Sequence, residues 1–248
     1  MNHLRIIFDG ARPGAVNMDR DTHLLRTFTP GEAPILRLYR WEPAAVSIGY
    51  NQKDGDFDTA KAAAAGLDVV QRPTGGRAIL HADELTYAVV GPTTGPLFGD
   101  SLNTAYSRIN EALLDFLVSL GVDAEISTGE SREDARSLVC FKSAGKHEIR
   151  VQGRKIIGSA QRRTGGAFLQ HGSILSGPRH LQLPGYLRPG TRGSEMTPEQ
   201  LALATTDLGR ILGRDLSEAD YTEMDQALAR SFCRVLDLPP VEMAYADL

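Results

Sequence analysis

Cys140 and Lys155 are the two residues of this chain whose types can do covalent chemistry together. Cys140 lies in Ser137-Leu138-Val139-Cys140-Phe141, and Lys155 follows in Gly153-Arg154-Lys155-Ile156-Ile157-Gly158-Ser159-Ala160-Gln161. A thiolate is a strong nucleophile, and a nearby ammonium lowers the thiol pKa and favours it. Brought together by a fold, the pair would suit covalent group transfer. The small residues Gly158, Ser159 and Ala160 would leave room for an elongated substrate against the backbone. Taken alone, a solvated lysine at a hairpin is the commoner fate of such a residue. Cys233 lies in the helical apolar pattern Ala229, Phe232, Leu236 and reads as an inert core thiol. His147 is a conceivable base beside Cys140, although a solvent-facing strand position suits it better.

A second candidate is Gln71-Arg72-Pro73-Thr74-Gly75-Gly76-Arg77-Ala78-Ile79-Leu80-His81. Paired glycines let the backbone approach a ligand closely and adopt positive φ. Arg72 and Arg77 could bind a carboxylate or phosphate, and His81 could donate or accept a hydrogen bond. A hairpin turn with surface arginines fits the same residues. No Gly-Lys-Ser/Thr closes the segment, so it is not a P-loop. In Gln170-His171-Gly172-Ser173, His171 reads first as a satisfied histidine at a strand end.

The elements that must position these residues are legible in outline. Apolar or alternating runs predict strands over 4–8, 34–39, 45–48, 67–71, 86–90, 147–152, 155–159 and 167–175. Helical spacing predicts helices over 17–28, 58–65 and 102–120, the last with Ile109, Leu113, Phe116 and Leu117 on one face. Residues 127–136 read as a polar loop and 178–193, rich in Pro, Gly and Arg, as a long connection. Thr197-Pro198-Glu199-Gln200 carries an N-cap, a proline at the first helical position and a glutamine closing a capping box. A further helix starts near Ser217. The fold class expected is therefore α+β: a mixed β-sheet core flanked by helices, with a short helical C-terminal tail.

The 248 residues carry a formal net charge of -4 and two cysteines. No global basic field points to nucleic acid. No run approaches the ~20 apolar residues of a membrane span. The first nine residues lack the cleavage site of a signal peptide, and two cysteines are too few for a disulfide framework. A cytoplasmic protein is expected.

Taken in order, several segments resemble the biotin/lipoate protein ligase superfamily from Asn17 to about Leu175. They are Trp41-Glu42-Pro43-Ala44-Ala45-Val46-Ser47-Ile48-Gly49-Tyr50, Arg72 to His81, Glu84-Leu85-Thr86-Tyr87, Gly153 to Gln161 and Gln170-His171-Gly172-Ser173-Ile174-Leu175. Val139-Cys140-Phe141, fifteen residues before the lysine, resembles the cysteine-dependent octanoyltransferases within it. Family members usually carry Asp directly after the glycine-loop histidine; here Ala82 stands there, with Asp83 one later. Their N-terminal Asn-Met-Ala and acidic pair are kept only in part, as Asn17-Met18-Asp19-Arg20-Asp21.

The resemblance implies a ligase-like catalytic domain over 1–190 with a helical extension over 191–248 packed on it. It implies a ping-pong reaction without ATP and with no cofactor or metal. Octanoyl-acyl carrier protein would load Cys140 as a thioester, and the lysine of a lipoyl domain, such as glycine cleavage H protein or an E2 subunit, would then take the acyl group. Lys155 would stabilise the thiolate and the developing oxyanion. Arg72, Thr74, Gly75, Gly76, Gly158, Ser159 and Ala160 would line the acyl channel, with His81 and His171 as orienting or supporting groups. An ATP-dependent lipoate ligase and a lipoyl amidotransferase are the alternatives within the superfamily.

Overall fold

The computed structural model describes residues 2–52, 54–127, 148–191 and 193–247. Cys140 and His147 lie outside the described residues. The apolar runs form the strands β1 (Leu4–Arg12), β2 (Ile35–Trp41), β3 (Ala45–Ile48), β4 (Asp68–Gln71), β5 (Ile79–His81) and β6 (Glu84–Pro92). Beyond them come β7 (Glu125–Ile126), β8 (Ile149–Val151), β9 (Arg154–Thr164), β10 (Ala167–Leu175) and β11 (Pro240–Glu242). The helices are α1 (Gly14–Thr27), α2 (Thr59–Ala64), α3 (Leu102–Ser119), α4 (Pro198–Ala204), α5 (Leu208–Leu212) and α6 (Glu218–Leu236).

Among the described residues, eight strands form one mixed sheet in the order β11-β1-β2-β6-β10-β9-β8-β7. β1 runs parallel to β2 and β11, and the pairs from β2 through β6, β10, β9 and β8 to β7 are antiparallel. A second sheet of three strands has β3 between β4 and β5. The central strands β6 and β10 are buried at every position. Both faces of the large sheet are covered, which suits continuous apolar strands. On one face, Leu85, Tyr87 and Val89 of β6 pack with Ile109, Leu113 and Phe116 of α3 and with Leu228 and Phe232 of α6. On the other, Ala88, Val90 and Leu169 meet Met18, Leu24 and Leu25 of α1.

Three differences from the sequence expectations have physical causes. Residues 178–186 form a 3₁₀ helix rather than an open connection. Leu183 anchors it in the core of the small sheet, and His180 Nδ1 and Nε2 lie within hydrogen-bond reach of the Gly177 carbonyl and the Thr205 hydroxyl. Ile79–His81 is a strand, held by β3, and only the residues before it form the loop. β11 begins with a proline and is exposed at all three positions, so it carries no apolar signal.

Gly172 on β10 is required by close approach. A Cβ there would meet the Gly158 carbonyl oxygen at 2.6 Å and Tyr87 at 2.7 Å. Gly172→Ala is expected to cost about 1–3 kcal/mol, read as a lowered urea midpoint with unchanged m-value. An unshifted midpoint would show that β9 can move aside.

Candidate active site

A narrow cavity opens where α1, the small sheet and the strands β9 and β10 meet. It is partly enclosed. Seven of the sequence-predicted residues line it: Arg72, Gly76, His81, Gly158, Ser159, Ala160 and His171. Thr74 and Gly75 lie in the same loop but are not part of its lining, and neither is Lys155. Met18, Tyr39, Trp41, Ile79, Thr86, Gly172 and Ser173 complete the lining. Gly76 is exposed, whereas these seven are buried.

Arg72 organises the glycine loop. Its guanidinium donates to the Gly75 carbonyl at 2.7 Å, to the Arg77 carbonyl at 2.7 Å and to the Ser47 hydroxyl at 3.1 Å. The planar fork thus clamps the turn to β3. Gly76, at φ +92°, would bring a Cβ to 2.7 Å from that guanidinium, so the position requires glycine. The close packing of Arg72 on the loop carbonyls makes it a loop clamp in addition to a lining residue.

Two buried polar relays stand behind the cavity wall. In the first, His171 Nδ1 faces Asp21 Oδ2 at 2.8 Å and Nε2 faces the Thr74 hydroxyl at 2.6 Å. Arg37 donates to Asp21 Oδ1 at 2.6 Å and to Asp9 Oδ2 at 2.8 Å, and the Tyr39 hydroxyl donates to Asp21 Oδ2 at 2.8 Å. Burial pushes the Asp21 carboxyl up, but Arg37, His171 and Tyr39 outweigh it and hold the carboxyl below its ordinary value. Burial holds His171 below its ordinary value against the pull of Asp21, so the ring is neutral. With Asp21 ionised, Nδ1–H donates to it, and Nε2 accepts from Thr74.

In the second relay, Glu84 Oε1 accepts from the Thr86 hydroxyl at 2.6 Å and the Ser173 hydroxyl at 2.9 Å, and lies 2.8 Å from His81 Nδ1. His81 Nε2 lies 2.7 Å from the Ser47 hydroxyl. The His81 ring stacks on Trp41, with centroids 3.9 Å apart and planes 10° from parallel. The Trp41 indole N–H donates to Thr86 at 2.8 Å.

Lys155 is brought to the same side of the large sheet by a β-bulge. Ile149 pairs with Ile157, but the next residue, Arg150, pairs with Lys155, which leaves Ile156 extra on β9. Ile156 and Ile157 therefore both pack into the α3–α6 core. Lys155 turns to the opposite face, the one that carries Gly158 and Ala160 opposite Ser173 and His171. Such re-aiming of one side chain is what bulges do. Lys155 is buried, and its Nζ donates to Glu148. Its carbonyl accepts from Thr206 at 3.0 Å, which ties the strand end to the link between α4 and α5.

Sequence reasoning did not assign roles to Asp21, Arg37, Glu84 or Glu148. A signal existed for two of them. Asp21 follows Asn17 by four residues on the apolar side of α1, and Arg37 stands between Leu36 and Leu38 in a strand whose other charged residue is Arg40.

Residues 13–233 match the family described as lipoyl protein ligase A/B catalytic domain. The chain belongs to this family. Among curated relatives, Octanoyltransferase LipM of Macrococcus caseolyticus is 45% identical over 167 residues, 64% of this chain and 60% of that protein. Octanoyltransferase LipM of Symbiobacterium thermophilum is 38% identical over 245 residues, 94% of this chain and 86% of that protein. The matched region spans 60%, 66% and 61% of the length of three such relatives. The lipoyl protein ligase A/B fold is seen in lipoate-protein ligase A bound with ATP, with a TM-score of 0.76 at 25% identity over 98% of this chain and 89% of that one. Protein Ta0514 of T. acidophilum with bound lipoic acid gives 0.74 at 25% identity over the same shares.

Proposed function

We propose that the chain is an octanoyltransferase that moves an octanoyl group from acyl carrier protein, through a thioester on Cys140, to the lysine of a lipoyl domain. The observation that carries the reading is chemical. The polar side chains around the cavity are paired with one another, so their carbon surfaces face the lumen and suit an acyl chain. The kinship with LipM octanoyltransferases supports the same reading.

In this reading the donor thioester is attacked by the Cys140 thiolate, and the carrier leaves as a thiol. The acceptor amine then attacks the new thioester; the C–N bond forms, the C–S bond breaks and the amine proton is lost. Thioester exchange is near balance and the amide is more stable, so no ATP is needed. Lys155 favours the thiolate and meets the oxyanion. Arg72 and Gly76 line the cavity, Thr74 and Gly75 support them from the same loop, Gly158, Ser159 and Ala160 leave the chain its path, and His81 and His171 hold the wall together. The reading takes 1–190 as the acyltransferase unit, 191–248 as an extension packed on it, and the cytoplasm as the compartment. No helix among the described residues is long and apolar enough to cross a membrane. Acyl carrier protein and a lipoyl domain such as glycine cleavage H protein or an E2 subunit are the partners.

Intact mass after incubation with octanoyl-acyl carrier protein tests the proposal. An octanoyl adduct on the wild-type chain and none on Cys140→Ala is expected. No adduct would sink the transferase. Acyl transfer that needs a nucleotide and survives Cys140→Ala would make the chain a ligase instead.

A further inference from the structure

We propose that Met18 of α1 is the stop that sets the length of acyl chain the cavity accepts, an inference that rests on the acyl-transfer reading. Exposed Gly76 and buried Met18, Tyr39, Trp41 and Thr86 line the same cavity. An acyl chain that enters beside Gly76 would end against these buried residues.

Three of those four cannot yield. The Tyr39 hydroxyl is bound to Asp21, inside the Arg37 relay. Trp41 is fixed twice, by its donation to Thr86 and by the stack on His81. Thr86 is fixed in turn by Glu84. Moving any of them would break a buried hydrogen bond and leave a polar group without its partner. His81, His171 and Ser173 along the side wall are held in the same way.

Met18 is different. Its side chain has no hydrogen bond to lose, and it belongs to the apolar cluster that holds Leu24, Leu25 and Leu169. Its unbranched thioether side chain has three rotatable bonds and fills irregular space. Ile79, the other large apolar lining residue, is β-branched and sits in a strand paired to β3, so its rotamer is restricted. The cavity therefore has rigid side walls and one adjustable end. Shortening the Met18 side chain costs no hydrogen bond.

The experiment loads the full chain from acyl carrier protein bearing saturated chains of six, eight, ten and twelve carbons. Initial rates of adduct formation are followed by intact mass for wild type, Met18→Ala and Met18→Phe. Met18→Ala should raise the ten-carbon to eight-carbon rate ratio about tenfold or more, and Met18→Phe should raise the six-carbon to eight-carbon ratio by a similar factor, since one or two methylenes in an apolar pocket decide about that much. Circular dichroism confirms that each variant is folded, and the second variant fills rather than empties the site. Wild-type loading with an unshifted chain-length profile in both folded variants would overturn the role of Met18 and leave the transferase standing. No adduct on wild type with any chain would overturn the transferase reading itself.

Discussion

Arg37→Met should destabilise the fold by about 3–5 kcal/mol at neutral pH, because it leaves buried carboxylates without their counter-charge. Arg37 is wholly buried and binds Asp9, Asp21 and the Asn17 side chain and carbonyl. Asp9 keeps Arg20 as a partner, but Asp21 keeps only the neutral His171 and the Tyr39 hydroxyl. The pH dependence should change sign as well. In wild type the Asp21 carboxyl is held below its ordinary 3.8, so its contribution is present above that value and is lost as pH falls through the folded value. His171, held below its ordinary 6.5, adds to the loss as pH drops through that range, since only the unfolded chain takes up the proton. Without Arg37, burial dominates at Asp21 and raises its carboxyl above 3.8. Its contribution is then present in acid and lost as pH rises through the raised value. Urea unfolding from acid to neutral pH should show the deficit of Arg37→Met shrinking as pH falls. A deficit that does not vary with pH would mean that Asp21 finds another partner.

The glycine loop, the Gly-Ser-Ala run of β9 and the histidine of β10 were legible as separate motifs because local residue types mark them. Their convergence on one cavity was legible only through the family resemblance. The relay behind them was not legible, since Asp21 and Arg37 act through contacts across 16 to 150 positions of sequence, and Glu84, local to His81 and Thr86, meets Ser173 across 89. A charged residue in an apolar pattern tells that a partner exists, and the fold alone tells which. The strand containing Lys155 was legible too, but not the side to which the lysine points. Strict alternation from Ser159 through Ile157 would put Lys155 in the α3–α6 core; the extra Ile156 reverses it, and no residue type announces a bulge.

Lys155→Met should lower octanoyl transfer about 10²–10³-fold, the loss typical of removing one donor from an oxyanion site. The bulge holds the ammonium on the cavity side of the sheet, and Glu148 fixes its direction. Arginine should not restore the rate, because a wide planar fork cannot replace a compact ammonium in a buried site. Glu148→Gln in the Lys155→Met background removes the stranded carboxylate and separates loss of fold from loss of chemistry. A second readout addresses the thiol directly. If the ammonium favours the Cys140 thiolate, alkylation of Cys140 by iodoacetamide should in wild type reach its half-maximal rate well below the ~8.5 of a free thiol. In Lys155→Met, that midpoint should move up toward the free-thiol value, while Cys233, with its thiol pushed up by burial, stays slow in both. A transfer rate and an alkylation profile both unchanged by Lys155→Met would mean that the lysine serves Glu148 and the strand end, and that the thiol is activated by other groups.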